Sequence, residues 1–225
     1  MTKFINLHTH KFSNLSDVIE VVNQYPWEFN ASIPNYSIGI HPWFIDENRL
    51  DKDLEIIKTN LQLPECLALG ECGLDKRIEI PLSVQISVFK KQLELVKQTQ
   101  KPIILHCVAA FDELIAIKKE LKIENPMLIH GFSKNEQVAK SLLNNGFYLS
   151  FGKYLLRNPD LEKVFKFAPE NQILLETDTI EESIYEVYEK AASIKEIPTE
   201  EMKKIIFTNF SKIFNNKQQT INNKP

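Results

Sequence analysis

The chain has 225 residues, a length that suits a single domain because α/β barrels of this size commonly fold as one unit. Apolar residues make up 43% of it and charged residues 25%, as in a globular protein with a sizeable core. The formal net charge of −3 with neutral histidines argues against a broad basic face for nucleic acid, so a phosphate substrate would have to be held locally by a metal ion or a few cations.

Cysteine usage and the N-terminal sequence indicate the compartment. Cys66, Cys72 and Cys107 are an odd number without a CxxC pair, which argues against a disulfide framework and favours a reducing environment. The sequence MTKFINLHTH has neither an apolar signal core nor an arginine-rich transit pattern. No window approaches the ~18 apolar residues of a membrane span. We therefore expect a cytoplasmic monomer with no membrane partner.

Short apolar runs alternate with helical patterns along the chain. Most of the runs lack polar alternation, which is typical of strands buried on both faces of a parallel sheet. The predicted strands are residues 4–7, 18–22, 36–40, 66–69, 102–105, 127–129, 147–151 and 172–175. The predicted helices are residues 51–61, 82–99, 109–121, 135–144, 160–167, 182–193 and 199–214.

This alternation predicts a compact α/β fold, a (β/α)8 TIM-type barrel formed by one domain at residues 1–214. The connections after the first two strands are short, and the second contains Pro26 and Pro34, which disfavour a helix. A parallel crossover usually needs a dozen or more residues. We therefore predict that the barrel lacks regular helices after its first two strands. The polar residues 215–225 are predicted to be a flexible C-terminal tail.

All five histidines lie at or just after a predicted strand end. His8 and His10 follow the first strand as His-Thr-His, and residues i and i+2 of a strand point the same way. His41, His106 and His130 follow three other strands. Barrel active sites gather at the carboxyl ends of the strands, so we predict that these imidazoles converge there. One or two of them, His41 above all, could instead be core or capping histidines.

Two acidic motifs occupy the same position. Glu71 closes the run LALGE, and Glu176 and Asp178 close ILLETD. A carboxylate that follows a buried apolar strand is costly unless it is paired or bound to metal. Glu71 is suited to bridge two cations, and Asp178 to bind a cation and accept a proton from an attacking water. Glu176 shares a face with Asp178 if the strand continues, although either carboxylate could instead cap a helix or pair with a buried cation.

These side chains predict one or two divalent metal ions among Zn²⁺, Mg²⁺, Mn²⁺, Fe²⁺ and Co²⁺. Mixed nitrogen and oxygen ligands favour Zn²⁺, Mn²⁺, Fe²⁺ or Co²⁺, whereas an all-oxygen site favours Mg²⁺ or Ca²⁺. Such an ion lowers the pKa of water and polarises a phosphoryl or carbonyl oxygen. Cys72 and Cys107 adjoin Glu71 and His106, but adjacent residues of a strand point to opposite faces, so we interpret both cysteines as small buried residues.

The motifs HTH, GIHPW, GECGLD, HCVAAFDEL, HGF and ETD, in this order, resemble the TatD family of metal-dependent hydrolases in the amidohydrolase superfamily. The resemblance runs from His8 to about Asn209. It implies that one cation is held by His8, His10, Glu71 and Asp178. It implies that a second cation is held by Glu71, His106 and His130.

The resemblance also suggests roles and substrates. Asp178, Glu71 and Glu176 would be the catalytic or catalysis-supporting carboxylates. By resemblance His41 would line the pocket and contact substrate. Lys76, Arg77 and Lys153 are predicted substrate contacts because they follow predicted strand ends. Lys11 and Arg157 also follow strand ends, although charged loop residues are often only solvated.

Family members include DNases and D-aminoacyl-tRNA deacylases. We therefore predict a phosphodiesterase, in particular a deoxyribonuclease acting on DNA ends or single strands. The alternatives are an ester or amide hydrolase acting on a substrate such as D-aminoacyl-tRNA, and a non-enzymatic metal-binding barrel.

Overall fold

A computed structural model describes residues 2–214 of the chain, so the predicted tail at 215–225 lies outside the described residues. The strands are β1 (Phe4–Thr9), β2 (Val18–Gln24), β3 (Tyr36–Ile38), β4 (Cys66–Asp75), β5 (Ile103–Val108), β6 (Met127–Ile129), β7 (Phe147–Phe151) and β8 (Ile173–Leu175). The α-helices are α1 (Leu50–Asn60), α2 (Leu82–Val96), α3 (Phe111–Glu120), α4 (Glu136–Asn144), α5 (Lys153–Arg157), α6 (Pro159–Phe167), α7 (Ile184–Lys195) and α8 (Thr199–Phe214). Short 3-10 helices lie at Pro26–Glu28, Pro42–Phe44 and Glu170–Gln172.

The eight strands form one parallel sheet in sequence order, which closes into the predicted TIM-type barrel. The closure joins β1 to the segment that follows β8. Asp178 N donates to His8 O at 2.9 Å, and His10 N donates to Asp178 O at 3.2 Å. Behind these bonds, Asn6 Nδ2 donates to Thr177 Oγ1 at 2.8 Å, and Thr177 N donates back to Asn6 Oδ1 at 3.0 Å. The closure therefore places Asp178 beside both histidines of β1.

The first two connections differ from the later ones, as predicted. Residues 10–17, between β1 and β2, contain no helix, and the β2–β3 connection contains only the 3-10 helix Pro26–Glu28. Pro26 lies at the start of that helix, where its missing N–H does no harm, but its ring disfavours a longer helix around it. The outer wall of the barrel therefore has no α-helix at these two connections.

The core is formed by strand residues that are buried on both faces and by one face of each outer helix. Ile103, Ile104 and Leu105 of β5 are all fully buried, as expected for a central parallel strand. Tyr188 of α7 shows how a helix is fastened to the barrel, since its hydroxyl accepts from Ile5 N at 3.0 Å and donates to Ile5 O at 3.1 Å. No helix in residues 2–214 has the length and apolar character needed to span a membrane.

Strand β4 is longer than predicted and runs to Asp75 rather than ending at Leu69. Its glycines permit close packing against β5. A Cβ at Gly70 would lie 2.6 Å from Ile104 O, and one at Gly73 would lie 2.0 Å from His106 O. Both glycines also have φ near +140°, at 145° and 141°, which L side chains rarely adopt. The strand can therefore continue through Glu71 and carry two carboxylates into the mouth.

Candidate metal centre

Glu71 lies at the centre of the barrel mouth, and its side chain is only 4% exposed. Imidazole nitrogens from four other strands or strand ends surround its carboxylate. From Oε1 the distances are 3.1 Å to His41 Nε2, 3.0 Å to His106 Nδ1 and 2.8 Å to His130 Nε2. From Oε2 they are 3.3 Å to His8 Nε2 and 3.7 Å to His10 Nε2. The structure thus brings together all five histidines that the sequence places at strand ends.

Asp178 completes the cluster from the opposite side of β1. Its Oδ1 lies 3.8 Å from His8 Nε2 and 3.6 Å from His10 Nε2. Its Oδ2 accepts a hydrogen bond from Lys153 Nζ at 2.8 Å. Lys153, predicted as a substrate contact, is therefore hydrogen-bonded to a candidate metal ligand.

Two further carboxylates lie behind the imidazoles. Glu176 is fully buried, and its Oε1 lies 3.4 Å from His130 Nδ1 and accepts from Gly131 N at 2.7 Å. Asp75 Oδ2 lies 3.3 Å from His106 Nε2. A carboxylate on the far nitrogen of a histidine fixes its tautomer and leaves the near nitrogen free to bind metal. Glu176 therefore occupies a supporting position behind His130 and does not line the cavity.

The side chains present fit divalent cations. Within residues 2–214, three groups have ligand atoms within 4.8 Å of one another: His8, His10 and Asp178; His8, Glu71 and His130; and His41, Glu71 and His106. His8 Nε2 is buried and has no hydrogen-bond partner among the described residues, although it points at two carboxylates. A buried polar atom without a partner is costly, and a cation ligated there would remove that cost.

His41 is the exception within these groups. Its Nδ1 accepts a hydrogen bond from Trp43 N at 3.1 Å, so it caps the 3-10 helix Pro42–Phe44. Burial lowers the pKa of His41, and its neutral form therefore carries the proton on Nε2 and donates it to Glu71. Metal ligation through Nε2 would require loss of that proton. His41 is thus a capping residue and a hydrogen-bond donor to Glu71 at the site.

Glu71 and His130 stabilise each other's charged form. Burial alone would raise the pKa of Glu71, but the positive charge of His130 and hydrogen bonds from His106, His130 and His41 outweigh it and hold this pKa well below its usual range. Burial alone would lower the pKa of His130, but Glu71 and Glu176 hold it well above its usual value. A protonated imidazole thus does for Glu71 what a divalent cation would do, and metal binding would release that proton.

The cluster opens into a cavity of about 380 Å³. Arg77 and Lys153, both predicted as substrate contacts, line it, as does Lys134, which sequence reasoning missed. The structure does not bring Lys76 to this cavity, because Lys76 Nζ binds Glu113 Oε1 at 2.6 Å on the side of α3. Arg157 is likewise held elsewhere, by Glu182.

The prediction that Cys72 and Cys107 are both buried holds for only one of them. Cys72 is fully buried, as predicted. Cys107 is only partly buried and lines the cavity, so the interpretation of it as a buried residue was wrong. Cys107 still lies within β5, paired with Leu74, but it is next to the carboxyl end of the strand, where the wall borders the cavity. Burial nevertheless raises the pKa of Cys107 to about 12, so its thiol stays protonated and is a poor nucleophile.

Asp75 and Trp43 are functional candidates that sequence reasoning missed. Asp75 is 2% exposed, and besides His106 it accepts hydrogen bonds from Trp43 Nε1 at 2.8 Å and from Arg77 N at 2.8 Å. Its motif GLD was noted, but the carboxylate was expected in a loop rather than inside β4. The available signal was the spacing of Glu71 and Asp75, four residues apart, which places both on one face of a continuing strand.

Comparisons with known proteins identify the family of the chain. The family model described as "TatD related DNase" matches residues 1–215. The chain belongs to the TatD family. It is 30% identical over 218 residues to an uncharacterized metal-dependent hydrolase, YabD, of Bacillus subtilis, covering 89% of this chain and 82% of that protein. It is 28% identical over 196 residues to the uncharacterized metal-dependent hydrolase YcfH of Escherichia coli, covering 80% of this chain and 73% of the relative.

Solved TatD structures share the barrel. YJJV, a TatD homologue of Escherichia coli, superposes with a TM-score of 0.81 at 22% identity over 95% of this chain and 98% of its own. A TatD family hydrolase of Entamoeba histolytica superposes with a TM-score of 0.79 at 18% identity over the same shares. As a TatD family member, the protein is a metal-dependent hydrolase, and the histidine and carboxylate cluster is where its metal would bind.

Proposed function

We propose that the protein is a two-metal phosphodiesterase that hydrolyses unpaired DNA, at ends or in single strands. The supporting observation is the positive charge beside the candidate ligands. Lys153 Nζ lies 2.8 Å from Asp178 Oδ2, and Arg77 and Lys134 line the same cavity. The chain as a whole is acidic, at −3. Cations gathered beside the candidate ligands favour a substrate that carries its negative charge at the bond to be broken.

The candidate ligands would divide between two cations, with Glu71 contributing to both. His8, His10 and Asp178 would hold one with Glu71, and His106 and His130 would hold the other. When bound, such ions lower the pKa of a water and polarise phosphoryl oxygens. Two ions that share a carboxylate can serve the attacking and leaving oxygens at once, which suits an in-line displacement at phosphorus.

The protein's own groups then have defined tasks. Asp178 Oδ1 faces the space between His8 and His10 and would accept the proton of the attacking water. Lys153 donates to Asp178 Oδ2, so it fixes the orientation of this carboxylate and can share its positive charge with a phosphoryl oxygen. The water oxygen would bond to phosphorus as the bond from phosphorus to the leaving oxygen breaks, and the proton taken up by Asp178 would pass to that leaving oxygen.

The test is turnover of end-labelled single-stranded DNA with added Mn²⁺, for the wild type and for Glu71→Gln, which has the same shape without the charge. Blunt duplex DNA and D-aminoacyl-tRNA are run in parallel, because a polarising metal would also serve an acyl ester. We expect metal-dependent cleavage of the single strand by the wild type only. Equal turnover by wild type and variant, or turnover of the aminoacyl ester alone, would contradict the proposal.

A further inference from the structure

Exposed aromatic rings lie on two sides of the cavity rim. In the described part of the chain, four aromatic side chains are at least 40% exposed: Trp43, Phe44, Tyr154 and Phe167. The first three line the cavity. Trp43 and Phe44 follow β3, whereas Tyr154 lies in α5, which follows β7. Because β3 and β7 are four strands apart in a ring of eight, the two groups lie on opposite sides of the mouth.

The metal ligands lie between these two rims. On one side, the Trp43 ring centroid is 5.8 Å from that of His106. On the other side, Lys153 Nζ lies 5.3 Å from the Tyr154 ring centroid and 2.8 Å from Asp178. A ligand whose phosphate reached the cluster would therefore have an aromatic surface on either side of that phosphate.

Trp43 is held in place although it is exposed. The residue is 54% exposed. Its indole Nε1 nevertheless donates a hydrogen bond to the buried carboxylate of Asp75 at 2.8 Å. A ring fixed in this way loses little conformational entropy when a flat group stacks on it. The exposed indole is therefore suited to bind a planar partner.

Resting on the proposed nuclease function, we propose that the two rims stack the nucleobases on either side of the scissile phosphate of an unpaired strand. Aromatic faces combined with Lys and Arg are the means by which proteins bind single strands, because every base has a flat face and every link has a charge. In a duplex these faces are covered by neighbouring bases. The cations Arg77, Lys134 and Lys153 between the rims match the phosphates that such a strand would bring.

Intrinsic fluorescence tests the Trp43 side without metal or turnover. The chain has two tryptophans, so Trp27→Phe leaves Trp43 as the only one. This protein is titrated in a chelator with a thymidine trinucleotide and with the same trinucleotide lacking all bases. We expect the trinucleotide to quench the fluorescence saturably. The abasic trinucleotide should bind at least about tenfold more weakly, as base–aromatic stacking energies predict. Equal quenching by both, or quenching by neither, would overturn the inference.

The Tyr154 side is tested by matched variants, with binding followed by anisotropy of a labelled trinucleotide. Tyr154→Leu removes the ring, and Tyr154→Phe keeps it. Phe167→Leu removes an equally exposed ring, 42% against 41%, that does not line the cavity. We expect Tyr154→Leu alone to raise Kd by about tenfold. A Tyr154→Leu effect no larger than that of Phe167→Leu would overturn the two-sided arrangement. Anisotropy of the wild type with the trinucleotide and with its abasic counterpart needs no substitution, so a folding defect cannot decide the result.

Hydrolysis of methyl p-nitrophenyl phosphate, which has no nucleobase, tests the proposed function separately. Its Mn²⁺-dependent hydrolysis together with base-independent binding would keep the phosphodiesterase and overturn the stacking inference. Base-dependent binding without hydrolysis of any phosphodiester would support the stacking surfaces and overturn the proposed nuclease.

Discussion

The barrel mouth has two levels that differ in how their side chains are held. The inner level, Glu71 and the imidazoles around it, is carried by strands or by residues within three positions of a strand end. Apart from His10, whose side chain is 30% exposed, its groups are buried or nearly so, and the imidazole nitrogens lie 2.8 to 3.7 Å from the Glu71 carboxylate. The rim is carried by 3-10 helices, the short helix α5 and loops, and its side chains are partly exposed. Lys153 links the two levels through Asp178.

This difference separates the groups that determine the reaction from the groups that select the substrate. Buried ligands fixed by strands and by carboxylates behind them leave little freedom, so the inner level determines which chemistry is possible. The rim has more freedom in sequence and conformation, and it determines which molecule is presented to the inner level. Substitutions of the inner level should therefore lower turnover on every substrate, whereas rim substitutions should act on some substrates and not others.

The largest effect is expected from Glu71→Gln, since both cations would lose a shared ligand. A bound cation stabilises the transition state of phosphodiester hydrolysis by several kcal/mol. We therefore expect the variant to lose about a thousandfold in kcat on every phosphodiester. The same variant should lose metal-dependent stabilisation. Mn²⁺ at about 100 times its Kd should stabilise the wild type by about 2.7 kcal/mol, an increase in Tm of about 5 to 10 °C.

Thermal melts with and without Mn²⁺ provide this measurement. A chelator should return the wild-type Tm to its metal-free value, and Glu71→Gln should show no shift at the same concentration. An equal metal-dependent shift in both proteins would mean that cations bind without Glu71 and that the two levels are not organised as described.

The inner level was largely predictable from sequence because barrel geometry collects strand ends. A histidine or carboxylate that follows an apolar run has to emerge at one rim, whatever the packing outside, and all five histidines did so. The partners of these groups were less predictable. Asp75 was missed because the predicted strand ended at Leu69, whereas Gly70 and Gly73 let β4 continue.

The rim was predicted less well, for a different reason. Lys76, Arg77 and Lys153 follow strand ends equally well in the sequence, yet only the last two line the cavity. Lys76 is drawn to Glu113, which lies 37 positions further along the chain on a neighbouring helix. Long, flexible Lys and Arg side chains pair with whichever acidic groups the tertiary structure places within reach. Sequence spacing alone therefore could not show which of these three residues lines the cavity.

A smaller effect, about 10- to 100-fold on metal affinity, is expected from Glu176→Gln, in the range found for groups behind a metal ligand. The amide oxygen can still accept from Gly131 N, so the backbone contact survives while the negative charge beside His130 is lost. The measurement is the Mn²⁺ concentration at half-maximal activity. A lower Tm with an unchanged metal requirement would show that Glu176 is only structural.

Lys153→Met tests the link between the levels, and we expect about a tenfold loss of kcat/KM on phosphodiesters. Hydrogen bonds between charged groups contribute about 1.5 to 3 kcal/mol, and this pair lies at the low end because the lysine side chain is 25% exposed. Lys153→Arg is the control that keeps the charge. Steady-state kinetics should show a larger loss on an anionic phosphodiester than on a neutral carboxylic ester. Equal losses on both would mean that Lys153 acts only by positioning Asp178.

The smallest effect is expected from Lys76→Met, which distinguishes the rim from the surface beside it. Lys76 binds Glu113, with both side chains at least 30% exposed, and such a pair contributes about 0 to 1 kcal/mol to stability. Because the ammonium does not line the cavity, KM for the thymidine trinucleotide should stay within about twofold of the wild type, as for surface substitutions elsewhere. Steady-state kinetics beside Lys153→Met gives the comparison. A rise in KM as large as that of Lys153→Met would show that Lys76 leaves Glu113 to bind substrate, and the rim would then extend to α3.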